Sequence, residues 1–274
     1  FTAKRVKMEN KSDALANLLE YLQYQTRPTS ILTPLVRRIV EELVKKLQSD
    51  PEDESMQWLV EESTDRTPLA AMLLLLGAIH REVLLHSPET NALGEYYPSV
   101  GGTKSFDSED FPAVFFKALG DCRDKLTPTM RSGTVQTNET GRGYTWLFPT
   151  LLTGWKAIHL VDLGTSAGLN LVADRRRFSF VMPSNEEQTV SIGEAEKDQF
   201  LVQSKPFVPC QDWKQLPPSM PEIISRSGCD LNPLPLNTEL DRIKLKSFIW
   251  PDQSERLTRL EEGLTAHQAV SAQK

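Results

Sequence analysis

The chain has 274 residues, 39% of them hydrophobic, and a formal net charge of −6. That length suits one large or two modest globular domains. The mildly acidic balance excludes the electrostatic footprint of a nucleic-acid binder, which needs clustered Lys and Arg.

Cys122, Cys210 and Cys229 are far apart and odd in number, so no disulfide framework is expected and a reducing, cytoplasmic compartment is. No Cys-x-x-Cys or His-x-x-x-His pair suggests a metal. Phe1 to Lys11 carries charges throughout and no apolar core, unlike a signal peptide. The longest apolar run, Leu69 to Ile79, is too short to cross a bilayer, so no membrane partner is expected.

Residues 12 to 153 read as helical. Leu15, Leu18, Leu19 and Leu22 share one face, as do Leu32, Leu35, Val36, Ile39, Val40, Leu43, Val44 and Leu47. A Pro-, Asp- and Glu-rich patch, Ser49 to Ser55, precedes a shorter helix at Met56 to Glu62. Thr67-Pro68 is an N-cap with proline at the first helical position. The helix it opens, Leu69 to about Leu85, is apolar nearly all round in its first half, the pattern of a bundle's central helix. His80 lies near its middle, and a buried histidine satisfied by a backbone carbonyl is favoured over a ligand role. Leu93 to Thr103 is a loop by its Pro and Gly content, and includes Tyr97. Asp107 or Ser108 then caps a helix with Phe111, Val114, Phe115, Ala118, Leu119 and Cys122 on one stripe. The polar stretch Thr127 to Gln136 leads to a further helix with Tyr144, Leu147, Phe148, Leu151 and Leu152 inward. Its first turn carries Asn138, Glu139 and Arg142, either a capped start with a local ion pair or a polar cluster feeding a site.

Ile158 to Leu171 changes character. An apolar run ends in Asp162, a turn of small residues follows (Gly164, Thr165, Ser166, Ala167, Gly168), and Leu169, Asn170 and Leu171 open a helix. Strand, tight turn and helix bring backbone close to a nucleotide-like ligand at the carboxyl end of an open α/β sheet. Ser166 stands where G-x-G-x-x-G has its middle glycine, and no Gly-Lys-Ser/Thr follows, which argues against a dinucleotide and a P-loop. Asp-x-Gly-x-Ser-Ala-Gly is similar to the first motif of class I S-adenosylmethionine methyltransferases. Arg175-Arg176-Arg177 reads as a solvated helix end. Phe178 to Met182 and Thr189 to Ile192 read as a hairpin, Phe200 to Phe207 as another strand, and Glu222 to about Asp230 as a strand with an acidic end where a ribose is held. Asp230 lies much further than about 20 residues from Gly164, so the hairpin must be an insertion; Asp174 is the competing ribose ligand. Helices are expected over Thr238 to Ile249 and, capped at Trp250 to Ser254, through Leu257, Leu260 and Leu264.

Pro68 to His80, Glu95 to Ser99, Gln136 to Arg142, Asp162 to Leu171 with Asp174-Arg175, Gly228 to Pro233 and Trp250 to Arg256 occur in an order that resembles the family catalogued as domain of unknown function 2332. The resemblance implies an α/β fold: a helical N-terminal region, residues 1–154, then a Rossmann-like sheet of the class I methyltransferase type, residues 155–274, with an inserted hairpin. Family members look longer, with further strands after the Trp-Pro-Asp-Gln helix, so either this chain is a fragment, or residues are missing from it, or its sheet is abbreviated at the C-terminal end. An S-adenosylmethionine-dependent methyl transfer is expected from the resemblance and the turn. Asp162, Gly164 to Gly168, Asn170 and Asp230 would contact the cofactor, and Tyr97, Asn138, Glu139 and Arg142 would contact a small-molecule substrate. The alternative is a non-catalytic scaffold with a protein-interaction surface, marked by a homodimer covering the Gly164–Gly168 turn.

Overall fold

The computed structural model describes residues 11–136, 139–182, 188–192, 199–203 and 220–271. The chain divides into two compact units: Phe1–Asn138 with Ile243–Ser254, and Glu139–Arg242 with Glu255–Lys274.

The first unit is a helical bundle of α1 (Lys11–Gln25), α2 (Pro34–Ser49), α3 (Glu54–Ser63), α4 (Pro68–Leu84), the short α5 (Asn91–Gly94) and α6 (Phe111–Ser132). Helices α3 and α4 start where their cap chemistry demands. Asp53 accepts from the N–H groups of Ser55 at 2.9 Å and Met56 at 3.3 Å, and Thr67 accepts from Ala70 at 3.3 Å ahead of Pro68. Central α4 buries Ala71, Leu74, Leu75 and Ile79 to 1% exposure or less. The α6 helix runs on through Pro128 to Ser132, further than its polar composition suggests, because Leu126 and Met130 continue the buried stripe at 0% exposure.

The segment Ile243–Ser254 completes this unit. Phe248 lies so close to Gly77 that a Cβ there would come within 2.9 Å of its ring. Asp252 supplies the cap that α2 lacks locally: Thr33, the N-cap residue, makes no capping bond of its own, and its hydroxyl donates to Asp252, whose other oxygen accepts from Leu35 N–H at 3.0 Å. Asp252→Ala is expected to lower the stability of this unit by about 1–2 kcal/mol, and Asp252→Asn by less, measured as a shift in urea midpoint at constant slope.

The second unit begins with a 3-10 turn, Thr140–Gly143, and α7 (Tyr144–Leu152). It continues through β1 (Ala157–Leu163), a 3-10 segment Leu169–Arg175, β2 (Arg177–Met182), β3 (Gln188–Ile192), β4 (Gln199–Gln203) and β5 (Glu222–Cys229). The α8 helix (Glu239–Ser247) leads out of the unit, and α9 (Ser254–Ser271) leads back into it.

The strands form two sheets among the described residues. β1 and β5 pair in parallel, Asp162 opposite Gly228 and Leu163 opposite Cys229. β2 pairs antiparallel with β3 and parallel with β4, in the order β3-β2-β4. The expected hairpin is thus present, and it belongs to a sheet of its own between the two paired strands in sequence. The fold is mixed α/β with a small parallel sheet of two strands.

One expected helix is replaced. The residues after the turn form a seven-residue 3-10 segment broken at Val172, with φ −111° and ψ 23°. The segment stops at Arg176, whose side chain is 0% exposed and donates to the Thr140 carbonyl at 2.7 Å and to Glu262 of α9 at 2.9 Å. The arginine triplet is therefore not a solvated helix end.

Candidate functional site

The parallel pairing of β1 and β5 carries two acidic residues toward one edge of the sheet. Asp162 is the penultimate residue of β1, and Asp230 directly follows β5. The turn between β1 and the 3-10 segment needs three left-handed residues: Gly164 at φ 82°, Ser166 at 53° and Gly168 at 76°. Glycine meets this without strain, and Ser166 adopts it at a cost. A Cβ on Gly228 would lie 2.6 Å from Thr165 Cγ2, so the bare backbone of β5 makes room for Thr165 over the residue paired with Asp162.

Four N–H groups of the turn are bonded within the protein. Those of Gly164 and Thr165 donate to the Cys229 carbonyl at 2.7 and 3.2 Å, and that of Gly168 to Thr165 at 2.8 Å. Ser166 N–H donates to Asp230 Oδ2 at 2.8 Å, while Asp230 Oδ1 accepts from Asn232 N–H at 2.8 Å. The amides of Asn232 and Ser166 hold the Asp230 carboxyl below its usual range. Asp230 is therefore the brace that closes the turn, and the Ser166 carbonyl is held in turn by Leu234 N–H at 3.2 Å. A 3-10 segment of seven residues also lacks the aligned peptide dipoles of a longer helix.

Side chains remain for recognition. Asp162 is half-buried, and its carboxylate has no hydrogen bond or ion pair among the described residues. Thr165 Oγ1 and Asn170 Oδ1 are buried polar atoms with no hydrogen-bond partner among the described residues, an arrangement that costs free energy unless something supplies one. Ala167 is buried at 8% exposure, and the Asn170 carbonyl accepts from Trp146 Nε1 at 2.7 Å. Asp174, the alternative ribose ligand, is consumed. Arg226 of β5 grips both its oxygens at 2.7 and 2.6 Å and also donates to the Leu171 carbonyl.

The expected substrate residues fall in different places. Tyr97 is in the core of the first unit, 1% exposed, where burial and the charge of Asp252 push its hydroxyl up. Asn138 lies outside the described residues. Glu139 and Arg142 belong to the second unit. Glu139 Oε1 accepts from Gly141 N–H at 3.0 Å, and its Oε2 lies 3.2 Å from Arg256 Nε and 3.5 Å from an Arg259 nitrogen. The ion-pair partners of Glu139 are these α9 arginines. Burial, together with the like charges of Arg259 and Arg142, lowers the Arg256 guanidinium from its ordinary value against the pull of Glu139. Sequence reasoning missed Arg256, Arg259 and Gly228, although the first and last lie in motifs that carry the family resemblance.

His80 shows the arrangement of a satisfied core histidine. Its Nδ1 is 3.1 Å from the Ser247 carbonyl and its Nε2 2.8 Å from Ser99 Oγ. The carbonyl can only accept, so Nδ1 carries the proton and Ser99 donates to Nε2.

Among the described residues there is no group of three or more His, Cys, Asp or Glu able to hold a metal, and no single helix is long and apolar enough to cross a membrane. No curated protein and no solved structure matches this chain. Residues 28–273, which include the turn, its brace and the arginine pair on α9, match one family model. The chain belongs to the family described as "Uncharacterized protein conserved in bacteria (DUF2332)".

Proposed function

We propose that the second unit is methyltransferase-like and takes S-adenosylmethionine at the carboxyl end of β1. The observation that carries this reading is the half-buried, unpaired Asp162 carboxylate, with Thr165 and its unpartnered hydroxyl packed over Gly228, the residue paired with Asp162. These groups, with Asn170 Oδ1, accept hydrogen bonds and suit a ligand that brings an ammonium group and ribose hydroxyls. A dinucleotide fits worse, because Ser166 stands where its pyrophosphate would need a glycine and four of the turn's amides are already used. S-adenosylmethionine carries no phosphate, so the bonded amides do not count against it.

In this reading Asp162 holds the ammonium group, and Thr165 and Asn170 take further donors of the ligand. Asp230 keeps the turn shaped and offers its remaining lone pairs to the ribose, while Glu139 and Arg142 supply the substrate rim. The bound cofactor would supply an electrophilic methyl group. The chain's contribution is positioning and exclusion of water, which is what such a transfer demands. The substrate is left open by this geometry.

Calorimetry with S-adenosylhomocysteine tests the reading. Wild-type protein is expected to release heat on binding and to melt at a higher temperature with ligand. Asp162→Asn, at a half-exposed position with no partner to lose, is expected to keep its ligand-free melting temperature and to bind about tenfold more weakly. No heat and no thermal shift at millimolar ligand would overturn the cofactor reading. The second reading, a non-catalytic scaffold, would then stand, favoured by one observation: Asp230 seals the turn with the chain's own carboxylate.

A further inference from the structure

We propose that a cleft between α1 and the α3–α4 corner binds a flat, uncharged heteroaromatic ring that carries an N–H donor. The cleft lies wholly in the first unit, so the proposal stands apart from the reading of the second. Its volume is about 400 Å³. Among the described residues, Asn17, Glu20, Tyr21 and Tyr24 line one side, and Arg66, Thr67 and Pro68 the other. Small-molecule sites are concave, largely apolar and furnished with a few polar groups, and they run upward from about 300 Å³.

The helix period builds the first wall. Ala14, Leu18 and Leu22 are the buried stripe of α1. Asn17, Tyr21 and Tyr24 recur at spacings of four and three, so they form a second stripe beside it, with Glu20 one turn before Tyr24. The second wall is fixed by the start of α4, where Thr67 caps the helix and Pro68 opens it with a locked φ. Two tyrosine rings and a proline ring make flat apolar walls, which suit a flat ring better than a branched chain.

Charge narrows the class further. Two guanidinium groups already attend the cleft. That of Arg27 lies over the Tyr24 ring, 5.0 Å from its centroid. Arg66 lines the cleft while donating to the carbonyls of Gly133 at 3.1 Å and Arg131 at 2.5 Å. An organic cation would add a third positive group beside them, so the aromatic walls do not favour one. An anion would meet Glu20, whose exposed carboxylate has no hydrogen bond or ion pair among the described residues. An uncharged ring avoids both conflicts. Glu20 then supplies a charged acceptor for its N–H group and fixes its orientation.

The test uses the full chain and two probes, indole and 1-methylindole, whose rings differ in the N–H group. Saturable binding of indole is expected by calorimetry and saturation-transfer NMR, with 1-methylindole bound about tenfold more weakly. In Glu20→Ala, indole is expected to fall to the level of 1-methylindole, and 1-methylindole to bind as before. In Tyr24→Ala both are expected to weaken together. A merely structural part for Glu20 would leave the ratio of the two probes as it is. Glu20 is exposed and has no described partner to lose, so Glu20→Ala is expected to keep the wild-type urea midpoint. Should Tyr24→Ala lose its fold, the two probes on wild type and Glu20→Ala decide. The proposal is overturned by no saturable binding of indole at millimolar concentration, by equal affinity of the two probes in wild type, by an unchanged ratio in Glu20→Ala, or by tighter binding of benzyltrimethylammonium than of indole.

Discussion

Arg226→Met is expected to destabilise the second unit by about 3 kcal/mol, the cost of leaving a buried carboxylate with only Arg175 Nε, 3.5 Å from Asp174 Oδ2, as a cationic neighbour. Asp174 has a side-chain exposure of 7% and Arg226 of 15%, so water can replace little of what the substitution removes. Three contacts go together: both oxygens of Asp174 and the Leu171 carbonyl lose their donors. This pair ties β5 to the 3-10 segment that follows the turn, and so holds Gly164–Gly168 against the strand that carries Asp230. Loss should appear as faster hydrogen exchange in β1 and β5 and a lower urea midpoint. The double variant Arg226→Met/Asp174→Leu should recover a large part of the loss, since two apolar groups leave no buried charge behind. Equal loss in single and double variants would show that packing, and not the uncompensated carboxylate, sets the cost.

Acid is expected to weaken the first unit through His80. Burial lowers this histidine from its ordinary 6.5 to about 4, against the opposing effect of its carbonyl partners. In the unfolded chain the ring takes a proton as the pH falls through about 6.5, whereas the folded chain does not until about pH 4. The unfolded state therefore binds more protons throughout this window. Stability is fully present above the unfolded value and is lost as pH falls through the window, by up to about 3 kcal/mol. Urea midpoints between pH 7 and pH 4 should decline in the wild type. His80→Gln should start lower, because it disturbs the contacts to Ser247 and Ser99, and should run flatter over the same range. A parallel decline in both proteins would assign the acid sensitivity to carboxylates instead.

Much of the helical unit was legible because its signals are local. Thr67-Pro68 marks the start of α4 through a cap bond and a fixed φ, and the apolar spacing in α2 and α6 marks the buried faces. The strands were legible too, since apolar runs bounded by Pro, Gly and Asn have few alternatives. Illegible were the features in which one charged or polar group answers another far away. Asp252 capping α2, Asp174 taken by Arg226 and Glu139 joined to Arg256 each span more than 50 residues. A charge has no periodicity, so nothing in its neighbourhood states which partner it will meet. The same holds for Arg176, a member of a basic triplet that by composition belongs in solvent and by position is the most buried of the three.

By itself the sequence determined the order of elements, the strand-turn segment around Gly164 and Gly168, and the family. Those follow from local backbone preferences and from apolar spacing, both written in neighbouring residues. Only the tertiary structure decided that four of the turn's amides bond within the protein, that Asp230 braces it, that Asp162 keeps a carboxylate to spare, and that Arg256 and Arg259 meet Glu139. Hydrogen bonds and ion pairs are settled by which distant groups the packed chain brings within reach, as at the end of the segment after the turn: Arg176, basic and expected in solvent, is held by Thr140 and Glu262, 36 and 86 residues away.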